Sequence, residues 1–224
     1  MTALFTRDTT DFLTENKLRN DKTWFTEHRK RYEDSVVAPL VSMAGDLAPA
    51  LHSIDDKLIC LPKVGGSVSR IWRDARFSKD KSLFRDTMWC MFVRQKNMSL
   101  PEFFFVVHPG GFLYGCGYYS ARTESMESVR KMILSGDRSF KRALSAYEKQ
   151  NIFVIDGDMF KRSRYPGEPE NIREWLDRKS ISFIKYSDDF ELLYSEQISS
   201  EVADGFKTLA PVYDFLIEAE ARKP

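Results

Sequence analysis

The chain has 224 residues, 42% of them hydrophobic, with 34 Lys and Arg against 33 Asp and Glu. At that length folding hides roughly 70% of the unfolded chain's surface, enough for a core without disulfides or a structural metal, while a charge balance this close to neutral argues against nucleic-acid and membrane-surface partners. Cys60, Cys90 and Cys116 are odd in number and dispersed, Met1 to Asp11 has no apolar leader, and the run Phe103 to Val107 is far too short to span a bilayer; a soluble, cytoplasmic protein is expected.

In chain order, Thr10 is placed to cap a short helix through Phe12, Leu13 and Leu18, and Asn20 or Asp21 to start a longer one. From Trp24 to Ile54 apolar residues recur every three or four positions, the period of one helical face, with a kink or break expected near Ala38 because Pro39 lacks an N–H. Met88 to Val93, Phe103 to Val107 and Phe112 to Tyr119 are short and rich in aromatic and β-branched residues, which predicts three antiparallel strands, and Ser67 to Arg73 predicts a fourth. A two-residue turn at Pro109-Gly110 places Cys116 opposite Phe103 and His108 opposite Gly111, so those two cannot form a nucleophile–base pair. The strands are apolar on both faces, so helices should cover much of the sheet.

Helical spacing returns at Met126, Val129 and Ile133, and again at Phe140, Ala143, Leu144 and Tyr147, where Asp137 is a suitable cap. Ile152 to Ile155 and Ile181 to Tyr186 read as strands, and Pro169 to Arg178 as a short helix between them. Ile198, Val202, Phe206, Leu209, Tyr213 and Leu216 form the stripe of a last helix that Gly205 and Pro211 are placed to bend. With no repeat or linker to divide it, the chain is expected to form one α+β domain over residues 1–224: a mostly antiparallel sheet covered by helices, with long helices towards both ends.

The densest chemistry lies between Arg70 and Asp86, which holds six basic residues (Arg70, Arg73, Arg76, Lys79, Lys81, Arg85) against three acids (Asp74, Asp80, Asp86). That net charge of +3 stands out from a remainder that is slightly acidic. Guanidinium groups offer a planar fork of donors matched to phosphate or carboxylate, and lysine adds a compact charge. Arg70, Arg73, Arg76, Ser78 and Lys81 are therefore candidate ligand-binding residues for an anionic small molecule. Asp74 and Asp80 are candidates to orient the cations, or to act as a general base if the carboxyl pKa is raised. The alternative is a non-catalytic interaction module in which the same charges staple a long connection onto the sheet. A nucleic-acid variant, with Trp72 for stacking, ranks third because of the overall neutrality.

The run from Arg70 to Lys81 resembles the signature R-x-x-R-D-x-R-F-x-x-D-K-x-x-Y of a conserved hypothetical family found in bacteria and some fungi; Arg70, Arg73, Asp74, Arg76, Phe77, Asp80 and Lys81 all match. Trp24-Phe25, the spacing of Tyr32 and Pro39, the G-x-G of Gly115 and Gly117, and the segment from Lys161 to Gly167 extend the resemblance over nearly the whole chain. The family is a domain of unknown function, so the resemblance implies no reaction, substrate or cofactor. Phe84 departs from it, standing where the pattern has tyrosine.

The remaining features point to structure. Gly115 and Gly117 leave one strand face open to a ligand, a helix or another backbone, with helix packing favoured over a ligand. His28, His52 and His108 are scattered, which argues against a transition-metal centre; Asp74 and Asp80 could bind only a magnesium–phosphate unit, among basic neighbours. Lys161, Arg162 and Arg164 form a second basic cluster that would enlarge the first if the fold brought the two together.

Overall fold

The computed structural model describes residues 3–74, 76, 79–94 and 100–223. Helix α1 (Arg7–Arg19) begins one turn before a Thr10 cap would place it. The Thr9 hydroxyl accepts from the Thr6 N–H at 3.2 Å, and Thr10 lies inside the helix, donating to the Arg7 carbonyl at 2.9 Å. Asp21 caps α2 (Lys22–Glu27) by accepting the Trp24 N–H at 2.7 Å. The expected long helix is segmented: α3 (Arg29–Tyr32) passes into a π-helical turn (Glu33–Val37) and then α4 (Ala38–Ile54). Near Ala38, where a kink or break was expected, the helix widens so that the Ala38 N–H reaches the Glu33 carbonyl, and the chain stays helical through Pro39.

Strands β1 (Met88–Phe92), β2 (Glu102–His108) and β3 (Gly111–Gly117) follow as an antiparallel meander. The β2–β3 register pairs Phe103 with Cys116 and His108 with Gly111, as the two-residue turn requires. Helices α5 (Thr123–Leu134) and α6 (Arg138–Glu148) lead to β4 (Val154–Asp156), then α7 (Glu170–Leu176), β5 (Ser182–Ser187), α8 (Phe190–Leu193) and α9 (Ile198–Ala221). Asp137 caps α6 through the Ser139 N–H at 2.8 Å. The sheet order is β1-β2-β3-β5-β4, every neighbouring pair antiparallel. An α+β domain results, with α1 to α4 at one end of the chain and α9 at the other.

Helix α9 crosses the sheet with Val202, Phe206, Tyr213 and Leu216 fully buried. The Phe103 ring packs against Phe206 and Tyr213 at 4.9 and 4.8 Å, and Phe5 stacks on Phe105 at 5.5 Å. Each such ring contributes roughly 1.5–3 kcal/mol through burial. Gly205 lets α9 approach the sheet closely: a Cβ there would lie 2.5 Å from the Tyr114 ring, and the helix continues past Pro211 to Ala221. The strand glycines also meet something other than a helix or a ligand. A Cβ on Gly115 would lie 1.9 Å from the Phe183 carbonyl of β5, so it is the neighbouring strand's main chain that needs the space.

Alternate residues of the strands face away from α9, and there Trp89, Met91, Phe104, Val106 and Leu113 are half-buried while Tyr186 and Val154 are exposed. The helices thus cover one face of the sheet more fully than the other. No helix among the described residues is long and apolar enough to cross a membrane.

Candidate functional site

The segment Ser67 to Arg73 is extended but changes partner midway. Ser69 N–H donates to the Trp89 carbonyl at 2.9 Å and Met91 N–H to the Ser67 carbonyl at 2.8 Å, which lays residues 67–69 along β1 at the edge of the sheet. The chain then leaves β1 and forms a narrow ribbon with residues 83–85: Arg73 N–H donates to the Leu83 carbonyl at 2.9 Å and Arg85 N–H to the Ile71 carbonyl at 2.8 Å. Arg70, Arg73 and Arg85 stand on the ribbon, while Asp74, Arg76, Asp80 and Lys81 lie in the connection it encloses. Ser78 and Phe77 lie outside the described residues.

Two carboxylates organise this connection. Asp74 accepts from Arg76 Nε at 2.9 Å and from Nη2 at 2.6 Å, and this fork holds its carboxyl down to about 2. Asp80 accepts the Ser82 N–H at 2.9 Å, which chiefly lowers its pKa, and pairs with Arg73 Nη1 at 3.0 Å. The Arg73 side chain is 27% exposed and that of Arg76 77%, so both guanidiniums keep a face to solvent although each is already paired. Carboxylates held ionised in this way suit the orientation of cations; a general base working near neutrality needs the opposite shift.

Helix α1 anchors the same connection. Lys17 Nζ lies 3.8 Å from Asp80 and donates to Ser82 Oγ at 3.2 Å, and the Asn20 side chain accepts the Leu83 N–H at 2.6 Å. Phe25 of α2 packs edge-on to Trp72 at 5.4 Å and stacks on Phe84 at 4.9 Å, while the Tyr32 ring lies 5.3 Å from Phe25. Residues far apart in sequence that carry the family resemblance, Phe25, Tyr32 and the arginine-rich run, thus meet in one place. Phe84 is fully buried beneath Trp72, so in this chain the position serves packing and supplies no phenol.

Beside the ribbon lies a concavity of about 850 Å³ lined by Arg70, Arg73, Arg76, Arg85, Trp72 and Trp89, among others. Asp74 is also in its wall, whereas Asp80 and Lys81, the latter expected among the ligand-binding residues, do not line it. Arg85 lies 4.9 Å over the Trp89 ring, and the Arg70 side chain rests against Gly65, where a Cβ would sit 3.2 Å from Nη2. Gly65 adopts φ +77°, a left-handed conformation that favours glycine. Arg85, Trp89, Gly65, Lys17 and Asn20 were not among the expected site residues. Gly65-Gly66 carried a turn signal, but nothing local marks Lys17 or Asn20, whose partners lie more than sixty residues away.

The second basic cluster does not join the first. Lys161, Arg162 and Arg164 follow β4, the strand at the opposite edge of the sheet from β1, and none of them lines the concavity. Arg164 is occupied there, 3.7 Å over the Phe160 ring, with its N–H donating to Asp177 at 2.9 Å. Among the described residues no group of three His, Cys, Asp or Glu side chains converges as a metal site would require.

A search of curated proteins finds no match. The family model of the conserved hypothetical protein DUF2461 matches residues 8–215, a span that takes in the ribbon, its anchors on α1 and α2, and the whole sheet. With nearly its full length aligned to that model, the chain belongs to the DUF2461 family.

Proposed function

We propose that the chain binds a small anionic molecule in the concavity beside the ribbon, with Arg70, Arg73, Arg76 and Arg85 supplying the charge. The observation that carries this reading is the convergence of four guanidiniums on one hollow, with Arg73 and Arg76 held by Asp80 and Asp74 while still facing solvent. Its volume of about 850 Å³ lies within the range of roughly 300–1,000 Å³ usual for small-molecule sites. Pre-paired arginines lose less side-chain freedom when a ligand arrives, so the carboxylates act as positioning groups. Cys60, Cys90 and Cys116 are all free thiols, in keeping with a reducing, cytoplasmic setting.

A staple is the competing reading, and the contacts of Lys17 and Asn20 do fasten the connection. The Arg76–Asp74 pair, however, is open to water, where screening and side-chain entropy leave such pairs little net effect on stability. Fastening alone therefore does not explain why so many arginines face one hollow.

Thermal denaturation against a panel of phosphorylated and carboxylated metabolites tests the proposal. A ligand at a hundred times its Kd stabilises by about 2.7 kcal/mol, a rise of roughly 5–10 °C for a domain of this size. Arg73→Gln should fold and show no such rise. No shift with any ligand, or an equal shift in the variant, overturns the proposal.

A further inference from the structure

Along the Arg70-Ile71-Trp72 segment lies a second, smaller cavity of about 430 Å³, walled by Phe25, Tyr32, Val37, Val64, Arg70 and Trp72. Arg70 and Trp72 belong to both cavities, so the two adjoin along this segment. Their chemistry differs. The larger carries four guanidiniums, whereas the smaller is lined by three aromatic rings and two valines. Arg29 and Glu33 also line the smaller cavity and pair with each other at 2.9 Å, which cancels their charge and leaves Arg70 as its remaining cation among the described residues.

Trp72 sets the boundary between the two. Its ring is seated on Phe84 at 4.5 Å and meets the Phe25 edge at 5.4 Å, yet the residue remains 43% exposed. A large indole fixed in place by two buried rings, and still open on one side, offers a preformed stacking surface. Arginines next to such a surface suit a molecule that is charged at one end and planar at the other.

We infer that the ligand of this site is an anion bearing an aromatic ring, its phosphate or carboxylate among Arg70, Arg73, Arg76 and Arg85 and its ring against Trp72 in the smaller cavity. This inference rests on the anion-binding reading and narrows it to a ligand class. The charged end belongs in the larger cavity because Arg73, Arg76 and Arg85 line that one alone, while the walls of the smaller are mainly aromatic rings and valines. The ring is excluded from the centre of the larger one, where Arg85 already covers Trp89.

Titration by ligand-observed NMR with two matched pairs of probes tests this: inorganic phosphate against phenyl phosphate, and acetate against benzoate. The aromatic member of each pair should bind roughly tenfold more tightly, the scale of gain that stacking on an aromatic side chain supplies. Thr26→Trp, at an exposed helical position lining the smaller cavity, should fill that cavity and abolish the gain while leaving inorganic phosphate binding unchanged. Trp72→Leu should also abolish the gain, but because Trp72 lines both cavities the unchanged binding of inorganic phosphate is read on Thr26→Trp, which also keeps the test open if the leucine variant is poorly folded. If inorganic phosphate binds and phenyl phosphate binds no tighter, this inference fails and the anion site stands. If the gain survives both substitutions, the ring lies elsewhere and the inference fails again. If none of the four probes binds, both proposals fall.

Discussion

Glu102 opens β2 directly opposite Gly117, and only 4% of its surface is exposed. One of its carboxylate oxygens, Oε2, is buried with no hydrogen-bond donor among the described residues, and burial pushes the carboxyl from its ordinary 4.5 up to about 8. The native state therefore keeps this proton at neutral pH, whereas the unfolded chain releases it near 4.5. It follows that the contribution of Glu102 to stability is intact below pH 4.5, declines as the pH rises, and is lost once the pH passes about 8. At about 1.4 kcal/mol for each tenfold change in proton affinity, the interval sets a ceiling of roughly 4–5 kcal/mol, which relaxation around the ionised group will reduce. Glu102→Gln replaces the acid by a neutral group of the same shape and removes this dependence. Urea denaturation of both proteins between pH 5 and pH 9.5 supplies the comparison, because the histidines and thiols that titrate in the same range cancel in the difference. The variant should match the wild type within about 1 kcal/mol at pH 5 and exceed it progressively above pH 6. Parallel stability curves across the whole range would refute the burial argument.

Other perturbations probe the frame around the site. Asp55, at the end of α4, accepts from Arg94 Nε at 2.5 Å and from the Tyr213 hydroxyl at 2.6 Å, joining α4, the exit of β1 and α9. Asp55→Ala should cost about 3 kcal/mol in urea denaturation by leaving Arg94 without its partner. Although burial of the Asp55 carboxyl opposes ionisation, the hydrogen bonds from Arg94 and Tyr213 outweigh it and lower the pKa, so its contribution is present above the ordinary carboxylate range and disappears as the pH falls through the lowered value. Asp55→Asn should remove that acid dependence. Gly115→Ala would drive a Cβ into the Phe183 carbonyl of β5, and a loss of more than about 3 kcal/mol, or failure to fold, is expected by circular dichroism and denaturation. Gly65→Ala should strain the backbone at φ +77°, costing about 1–2 kcal/mol of unliganded stability, and displace the Arg70 guanidinium, so that the thermal shift with phosphate shrinks relative to the variant's own unliganded baseline.

The family resemblance and the arginine-rich run were legible in the residues, and so was the chemistry they suggest. The geometry of the site was not, because its supports come from elsewhere. Lys17 of α1 and Asn20 at its C-terminal cap hold a connection more than sixty residues downstream, and Phe25 and Tyr32 build the aromatic wall behind Trp72. Trp89 and Arg85 joined the cavity only when residues 67–69 paired with β1. The distance between the two basic clusters was equally hidden. It follows from β5 inserting between β3 and β4, which sends Lys161 to Arg164 to the far edge of the sheet.

By itself, the sequence determined what local physics controls. Side-chain oxygens at Asp21 and Asp137 cap helices because the donors they satisfy lie two or three residues away. The stripe from Ile198 to Leu216 specified α9 through its period, and the turn at Pro109-Gly110 set the β2–β3 register through its length. Tertiary structure decided whatever depends on which distant surfaces meet: the strand order, the burial of Glu102, the pairing of Asp55 with Arg94 and Tyr213, and the two cavities that share Arg70 and Trp72. Those outcomes are settled by apolar burial summed over the whole chain, a non-directional drive that leaves no periodic mark at the residues it brings together.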